Sequence, residues 1–492
     1  MARVCLTEPS ETGGIGASGV RILEYALVRA GHTVTRVHVH RRGSSQLPLL
    51  DGGTVELTGR STQRPDAWFV SALYPRQWLD VPRLLARIGV PALAEHRAAS
   101  DPLVAFGGQS AIAPAPLEPF ADVIALGDGE RTGPELAEWC ARGREYALAR
   151  ADESPGYMVP SRTRQLTRVE SGANLIGELL PGRPMVEIAR GCKSKCAFCP
   201  IGWAGGSYRE ASEARVMASI DRVRGKKLLL YAPDGSSVDG IARYEQRLHQ
   251  AGCGNAARDA RLDRLMRHAV ATARSYSFGI EGLSARLRAA IGKPIADEDI
   301  VAAHGTLARV GVKSVRWYMI IGLPGEDDAD LREFLELLDA AHAVFPRSLS
   351  VTLTHFQAVP HTPLGRLANR YDERAVARGL AIREHLRRAW EASERKTLAS
   401  QPKGRELHES DVALQRGPRE VAHALIELGG NRAAFGDGRW RETFARHGAD
   451  PERALDAHPD ATPWDHVVTG AKPEKLRAAL ARYWHEVSGA PS

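Results

Sequence analysis

The stretch RGCKSKCAFCPIG, residues 190–202, decides how the rest of this sequence is interpreted. It places Cys192, Cys196 and Cys199 at C-x3-C-x2-C spacing, directly after the apolar run MVEIA. Three neighbouring thiols suit neither disulfides, which need pairs, nor a closed tetrahedral zinc site, which needs four ligands. Thiolates prefer soft metals and iron–sulfur clusters. Because a [4Fe-4S] cluster is normally held by four cysteines, three of them leave one iron open to another ligand.

The composition is typical of an ordinary soluble globular protein. At 492 residues, with 43% hydrophobic and 25% charged residues, the chain is long enough for two or three domains. It contains no run of about 18 apolar residues, so we expect no membrane partner. The start, MARVCLTEPS, lacks the features of a signal peptide, which favours a cytoplasmic location. The formal charge of +7 weakly favours an anionic partner such as nucleic acid.

Strands and helices alternate along two parts of the chain, which predicts an α/β fold with parallel sheets. Over residues 1–145 the apolar runs predict a Rossmann-like domain, in which ligands bind at the carboxyl ends of the strands. Residues 146–183 are turn-rich and are predicted to be a connector. The alternation resumes over 184–365, and we expect 366–492 to be a mainly helical extension.

Two smaller features have ordinary structural interpretations. Gly13, Gly14, Gly16 and Gly19 follow the first predicted strand but miss the G-x-G-x-x-G register, so a tight strand-to-helix turn is favoured over a dinucleotide site. Six cysteines in so long a chain argue against a disulfide framework, and Cys253 is expected to be a buried thiol rather than a radical relay.

The cysteine pattern, with the aromatic Phe198 before the last cysteine, resembles the signature of the radical S-adenosylmethionine (SAM) superfamily. The resemblance implies a partial (β/α)6 barrel, with Cys192, Cys196 and Cys199 holding a [4Fe-4S] cluster after its first strand. SAM would chelate the open iron, and one electron would cleave it to a 5'-deoxyadenosyl radical that abstracts hydrogen from the substrate. The resemblance also implies a reducing partner such as flavodoxin or ferredoxin. A zinc knuckle completed by a distant histidine is the alternative for these cysteines.

Two downstream stretches resemble cofactor-binding segments of that family. YAPDG, residues 231–235, is similar to the second-strand motif, and the resemblance assigns Asp234 to the amino group of SAM. FGIEGLSARLR, residues 278–288, is similar to the fourth-strand segment and assigns Glu281 to the ribose or methionine part. Phe198 is assigned to the cofactor site with them.

Two later stretches extend the match to the end of the barrel. IIGLPGE, residues 320–326, resembles the fifth-strand motif, in which the backbone at Gly322 and Gly325 would meet adenine. VPHTPLG, residues 359–365, resembles the end of the sixth strand. The third strand is weakly marked between residues 240 and 262.

The first domain also resembles part of this family. AFGGQSAIAPAPLEPFADVIALGDGE, residues 105–130, is similar to the end of a cobalamin-binding-like domain, and GYMVPS and PWDHVVTG resemble one branch with that architecture. The cobalamin-ligating pattern D-x-H-x-x-G is absent, so cobalamin is compatible with the resemblance without being established by it. Methylthiotransferases carry a second cluster on three N-terminal cysteines, whereas this domain offers only Cys5 and Cys140.

The resemblance therefore implies a radical SAM enzyme and leaves its substrate open. The first hypothesis is modification of a nucleobase, or of a group attached to one, in nucleic acid. The second is a cobalamin-dependent C-methyltransferase acting on a peptide or a small metabolite. A non-catalytic iron–sulfur redox sensor is the third, and it predicts that SAM is not cleaved.

Several basic side chains bear on the nucleic-acid hypothesis. His355 and His361 lie where the barrel would open, and a structural role is favoured for both. Four arginines recur every four residues and would share one face of a continuous helix, where a salt-bridged surface is favoured over phosphate binding. They are Arg366, Arg370, Arg374 and Arg378.

Overall fold

The structure is a computed structural model that forms two parallel-sheet units followed by helices. It describes residues 1–8, 18–40, 54–58, 64–162, 166–180, 184–223, 225–226, 228–253, 258–262, 274–393 and 398–489. The predicted turn at Gly13, Gly14 and Gly16 lies outside these ranges. Within them, no helix combines the length and apolarity needed to cross a bilayer.

The first unit is a seven-stranded sheet whose central strands are apolar and buried. Its strands are β1 (Arg3–Glu8), β2 (Thr33–His40), β3 (Thr54–Thr58), β4 (Ala67–Ser71), β5 (Leu103–Gly107), β6 (Val123–Ala125) and β7 (Tyr157–Met158). Its helices are α1 (Ser18–Arg29), α2 (Val81–Arg87), α3 (Gly129–Cys140) and α4 (Arg144–Glu153). The strand order is β3-β2-β1-β4-β5-β6-β7, and all pairs are parallel except β2–β3 and β6–β7.

Five strands of this sheet, β1, β2, β4, β5 and β6, run parallel to one another. Renumbered 1 to 5 in chain order, they lie in the doubly wound order 2-1-3-4-5, as expected for a Rossmann-like unit. The switch point lies between β1 and β4, where consecutive connections leave in opposite directions. The predicted boundary at 145 falls next to the start of α4, and β7 pairs with β6. Residues 146–158, placed in the connector by their turn-rich sequence, thus belong to the first sheet unit.

The second unit carries the cysteine loop. Its strands are β8 (Thr167–Arg168), β9 (Met185–Glu187), β10 (Ala189–Arg190), β11 (Arg209–Glu210), β12 (Leu229–Tyr231), β13 (Arg258–Ala260), β14 (Ser275–Glu281), β15 (Ser314–Ile321) and β16 (Ser348–His355). Its helices are α5 (Pro200–Trp203), α6 (Glu213–Asp221), α7 (Ile241–Gln250), α8 (Ala285–Ala290), α9 (Asp297–Arg309) and α10 (Asp328–Val344).

Six of these strands follow the predicted half-open barrel. β9 pairs with β12 in parallel, and β13, β14, β15 and β16 form a separate run of parallel pairs. The weakly marked third strand is β13, within the predicted interval. Large aromatic side chains at 0% exposure, among them Phe278, Trp317 and Phe334, pack the strands against their helices. Burial of each such side chain contributes about 2–3 kcal/mol.

The last unit is mainly helical, as predicted. It contains α11 (Glu373–Ser393), β17 (Leu398–Ala399), α12 (Arg405–Arg416), α13 (Val421–Leu428), α14 (Ala433–Gly436), α15 (Arg439–Arg446), α16 (Pro451–Leu455), β18 (Val467–Val468) and α17 (Pro473–Ser488). Trp440 and Phe444 share one buried core with Trp78 and Phe120 of the first unit. These helices therefore pack against the first sheet unit as well as the barrel.

Candidate active site

The three cysteines lie on one loop at the end of the first barrel strands, as the sequence predicts. Cys196 is buried, whereas Cys192 and Cys199 are partly exposed, and all three are free thiols. The Trp203 indole Nε1–H donates to the Cys196 carbonyl oxygen at 2.9 Å, and the Ala197 N–H donates to the Ile291 carbonyl at 2.9 Å. Two buried hydrogen bonds therefore fix the position of the loop at Cys196 and Ala197.

The pKa values of the Cys196 and Cys199 thiols reflect their burial and the charged groups around them. Burial raises the pKa of Cys196, opposed by the charges of Lys293 and Arg261. Burial also raises the pKa of Cys199 to about 11, and the charges of Cys192 and Cys196 add to that rise. A metal would remove this cost because a coordinated thiol is deprotonated.

The donor set fits an iron–sulfur cluster. Within the described part of the chain, no three His, Cys, Asp or Glu side chains converge tightly enough for a single metal ion. A cubane cluster does not need that convergence, since each cysteine binds a different iron. Phe198 lies between the second and third cysteines, half-buried against the barrel core.

Asp234 lies just beyond β12, at the carboxyl end of the strand, and is 7% exposed. Its carboxylate accepts the Ser236 N–H at 3.2 Å and both the Ser236 and Ser237 hydroxyls. Ser236 Oγ in turn accepts the Arg261 N–H at 3.0 Å, which ties this turn to the third strand. The assignment of Asp234 to the amino group of SAM stays a prediction.

Glu281 ends β14 in a strained conformation, with φ of 73° in a non-glycine residue. The register of β14 against β15 shifts at the same place. Glu281 Oε1 lies 3.2 Å from Lys293 Nζ, which also donates to the Gly279 carbonyl at 2.9 Å. Burial lowers the pKa of Lys293, but the Glu281 carboxylate and the charge of the Cys196 thiolate together outweigh burial, and the net shift is upward. A largely buried ion pair between Lys293 and Glu281 therefore lies next to the cysteine loop.

Lys293 was not found by sequence reasoning, because its partner lies twelve positions away across a helix. Its charge reaches the Cys196 thiol as well as Glu281. The sequence feature that could have indicated Lys293 is its place in the apolar run AIGKPI, where a buried charge without a partner would be costly.

Gly322 and Gly325 adopt positive φ angles of 77° and 84°, which glycine permits. A Cβ on Gly325 would stand 2.3 Å from Val487 Cγ1 of α17, and one on Gly322 would stand 3.1 Å from the Cβ of Ala375. The Gly322 N–H donates to Glu326, whose carboxylate also accepts from Arg378 at 2.8 Å. Helix packing thus explains both glycines, and their contact with adenine stays a prediction.

An ion-pair network that the sequence did not reveal joins the first unit to the cysteine loop. Arg190, two residues before Cys192, pairs with Asp128 at 2.8 Å and with Glu187 of β9 at 2.6 Å, and it also pairs with Glu130 at the start of α3. Burial raises the pKa of Glu187, whereas for Asp128 hydrogen bonds from the Gly172 N–H and Arg190 outweigh burial and lower it.

The two histidines have structural partners. His361, at φ 61°, donates through Nε2 to the Ile112 carbonyl at 2.9 Å, and burial lowers its pKa to about 4. The His355 ring lies 5.0 Å from the His408 ring and 5.5 Å from the Tyr371 ring, measured between centroids. Both contacts agree with the structural role favoured from the sequence.

The arginine row is not one helical face. Helix α11 begins at Glu373, so the first two arginines precede it. Arg366 pairs with Asp465, Arg370 with Glu452 and Asp456, and Arg378 with Glu326. The salt-bridged interpretation is supported for these three.

We expect Glu281→Gln to weaken SAM binding about 10- to 100-fold, because a hydrogen bond to a charged acceptor would be lost. Equilibrium binding of SAM to the cluster-loaded protein measures this. Glu298→Gln, an exposed carboxylate on α9, is the matched control and should bind as the wild type does. Equal affinity in both variants would remove Glu281 from the cofactor site.

Two family models match the chain. "Radical SAM proteins, N-terminal" matches residues 53–160, and "Radical SAM superfamily" matches residues 186–338. The second match covers the cysteine loop and the strands β9 to β15.

Two curated relatives match part of the chain. The uncharacterized protein MJ0966 of Methanocaldococcus jannaschii is 26% identical over 188 residues, which are 36% of this chain and 41% of that protein. The ribosomal protein uS12 methylthiotransferase RimO of Syntrophotalea carbinolica is 25% identical over 178 residues, which are 32% and 39% of the two chains. The chain thus spans about two fifths of the length of each relative.

A solved structure extends the similarity in fold to both units. The cobalamin-dependent SAM radical enzyme OxsB, with aqua-cobalamin and SAM bound, matches with a TM-score of 0.53 and 12% identity. The match covers 99% of this chain and 84% of OxsB. With its family matches, cysteine loop and half-open barrel, this chain belongs to the radical SAM superfamily.

Proposed function

We propose that this radical SAM enzyme is cobalamin-dependent and acts on a peptide or a small metabolite. The supporting observation is the doubly wound sheet ahead of the barrel, in an arrangement similar over 99% of the chain to an enzyme that binds aqua-cobalamin. Superfamily membership makes the chain an enzyme with a [4Fe-4S] cluster and SAM as cofactors. Bound together, these cofactors supply a carbon radical that abstracts hydrogen from a substrate.

Small residues at the carboxyl edge of the first sheet fit a flat macrocycle. Ser71 ends β4, Gly107 ends β5, and Ala72 and Gly108 follow them directly. Gly108 has φ of 116°, and a Cβ there would stand 2.8 Å from the Ala72 carbonyl oxygen. Ligands of doubly wound sheets bind at this edge, near the switch point. The small residues at this edge would contact the flat face of the corrinoid ring and exclude water from it.

The residues of the barrel would position SAM and exclude water. Asp234 and Glu281 follow the second and fourth barrel strands, so their carboxylates belong to the same carboxyl edge as the cysteine loop. Lys293 would hold the Glu281 carboxylate in place, leaving its second oxygen to accept from a ligand.

The nucleic-acid hypothesis has less support in this arrangement. Its arginine row is divided between a loop and α11, and three of the four arginines are ion-paired within the chain. The positive net charge and the resemblance to base-modifying branches of the family remain its supports from the sequence. Modification of nucleic acid stays a prediction from the sequence, ranked below the cobalamin-dependent activity.

Metal counts on protein produced with hydroxocobalamin and purified anaerobically test the proposal. We expect about four irons and about one cobalt per chain. Ser71→Phe, which fills the carboxyl edge, should lower cobalt at least about tenfold and leave iron unchanged. Ser100→Phe, an exposed position before β5 at the opposite edge, is the matched control. Iron without cobalt in the wild type would contradict cobalamin dependence while leaving the radical SAM assignment intact.

A further inference from the structure

A cavity of about 580 Å³ lies between the first sheet unit and the C-terminal helices. Ala115 and Glu118 line it from the first unit, and Arg416 lines it from the end of α12. The remaining wall includes residues of the loop 458–466, which contains the start of the PWDHVVTG stretch. Its described lining includes none of the cysteines or the residues assigned to SAM, so it is separate from the candidate active site.

Arg416 is the unusual member of this wall. It is 1% exposed, and its Nε and Nη1 have no hydrogen-bond partner among the described residues. Only Nη2 donates, to the Asp456 carbonyl at 2.8 Å. The Asp456 carboxylate itself is bound by Arg370 Nε and Nη2. A buried guanidinium that lacks an anion is costly, so an anionic partner would stabilise it.

Four further buried polar atoms of the wall lack hydrogen-bond partners within the described ranges. They are His458 Nε2, Thr462 Oγ1, Glu118 Oε1 and His466 Nε2, of which the last two face each other at 2.8 Å as an ion pair. Burial lowers the pKa of His458 to about 4, and the charges of Arg416, Arg453 and Arg366 add to the effect. His458 is therefore neutral at pH 7, and because its N–H donates to the Ala454 backbone, its Nε2 is left as an acceptor. The Thr462 hydroxyl can donate a hydrogen bond to an incoming anion.

The acidic residues of the wall do not neutralise Arg416. Glu118 lies 2.8 Å from His466 Nε2 and 3.9 Å from Arg419 Nε. Asp450 accepts backbone N–H groups at the start of α16. Glu420 forms no ion pair with Arg416 in the described structure. No carboxylate of the described wall hydrogen-bonds Arg416, so its Nε and Nη1 are charged donors without a partner.

We propose that this cavity is an oxyanion-binding site, in which Arg416 receives the phosphate or carboxylate group of a small molecule, assisted by the Thr462 hydroxyl. Guanidinium groups match both oxyanions through parallel hydrogen bonds. The site is independent of the cluster and of cobalamin, so its occupancy is measurable on protein without either.

Binding of inorganic phosphate and of acetate to the full chain, by calorimetry at constant ionic strength, tests the proposal. We expect one of the two anions to bind saturably, and the better binder identifies the source of the oxyanion as a phosphate or a carboxylate. Arg416→Met should weaken that binding about 10- to 100-fold. Arg243→Met removes the same charge from an exposed position on α7, away from the cavity, and should bind as the wild type does.

Thr462→Val provides a second test that leaves every charge in place and should weaken binding about threefold to tenfold. This variant keeps the proposal testable if Arg416→Met does not fold. The proposal is overturned if neither anion binds the wild type, or if the Arg416 and Arg243 variants respond alike. Because the assay needs no metal, these outcomes are distinct from a failure of the cobalt measurement.

Discussion

Replacing Cys196 by alanine is expected to remove the iron–sulfur cluster and to lower SAM cleavage at least about 100-fold. Loss of an outer-shell partner alone typically costs 10- to 100-fold in metal affinity or activity, and Cys196 would bind iron directly. Cys196 is also the most deeply buried of the three cysteines, at 6% exposure, so water is a poor substitute ligand there. Iron and sulfide counts after anaerobic reconstitution measure the loss.

Cys253→Ala is the matched control for this substitution. Cys253 is likewise buried, but it packs among apolar residues near α7 and its Sγ–H donates to the Val223 carbonyl at 3.3 Å. We expect this variant to keep its iron and to lose about 1 kcal/mol of stability at most. Iron retained in Cys196→Ala, or lost equally in both variants, would contradict the assignment of the cluster.

Replacing Arg190 by methionine is expected to lower the free energy of unfolding by about 3–5 kcal/mol, because buried carboxylates would lose their partner. The side chains of Asp128, Glu130 and Glu187 are 7%, 9% and 5% exposed, so water reaches them poorly. The first transition in urea unfolding measures the change. Since Arg190 joins the first unit to the cysteine loop, the variant should also lose iron faster during dialysis.

An exposed arginine provides the comparison. Arg243 pairs with Glu213 at the surface, with the two side chains 58% and 46% exposed, so Arg243→Met should leave the free energy of unfolding close to that of the wild type. If Arg190→Met unfolds at the same urea concentration as Arg243→Met, the network does not hold the two units together.

The sequence predicted the elements whose signals are local. Strands such as β5 and β15 were visible because a continuous apolar run marks a strand covered on both faces. The cysteine loop was visible because its three ligands lie within eight residues. By contrast, β13 is only three residues long, and its polar sequence, Arg-Asp-Ala, carries no strand signal.

The missed features depend on partners that are distant in sequence. Arg190 meets Asp128 across 62 positions, and only the folded chain brings them together. The arginine row failed as a helical face because Asp372 accepts the Arg374 N–H at 2.9 Å beside the start of α11, and spacing alone does not locate that start. Residues 146–158 carried the turn signals of Pro155 and Gly156, which hid the edge strand that follows them.

The central claim is that the chain cleaves SAM at a cluster held by Cys192, Cys196 and Cys199. The most direct test is to quantify 5'-deoxyadenosine after the anaerobically reconstituted protein is reduced in the presence of SAM. We predict 5'-deoxyadenosine from the wild type and none above background from the Cys196→Ala variant. A protein that binds about four irons yet leaves SAM intact under these conditions, or that binds zinc instead of iron, would contradict the claim.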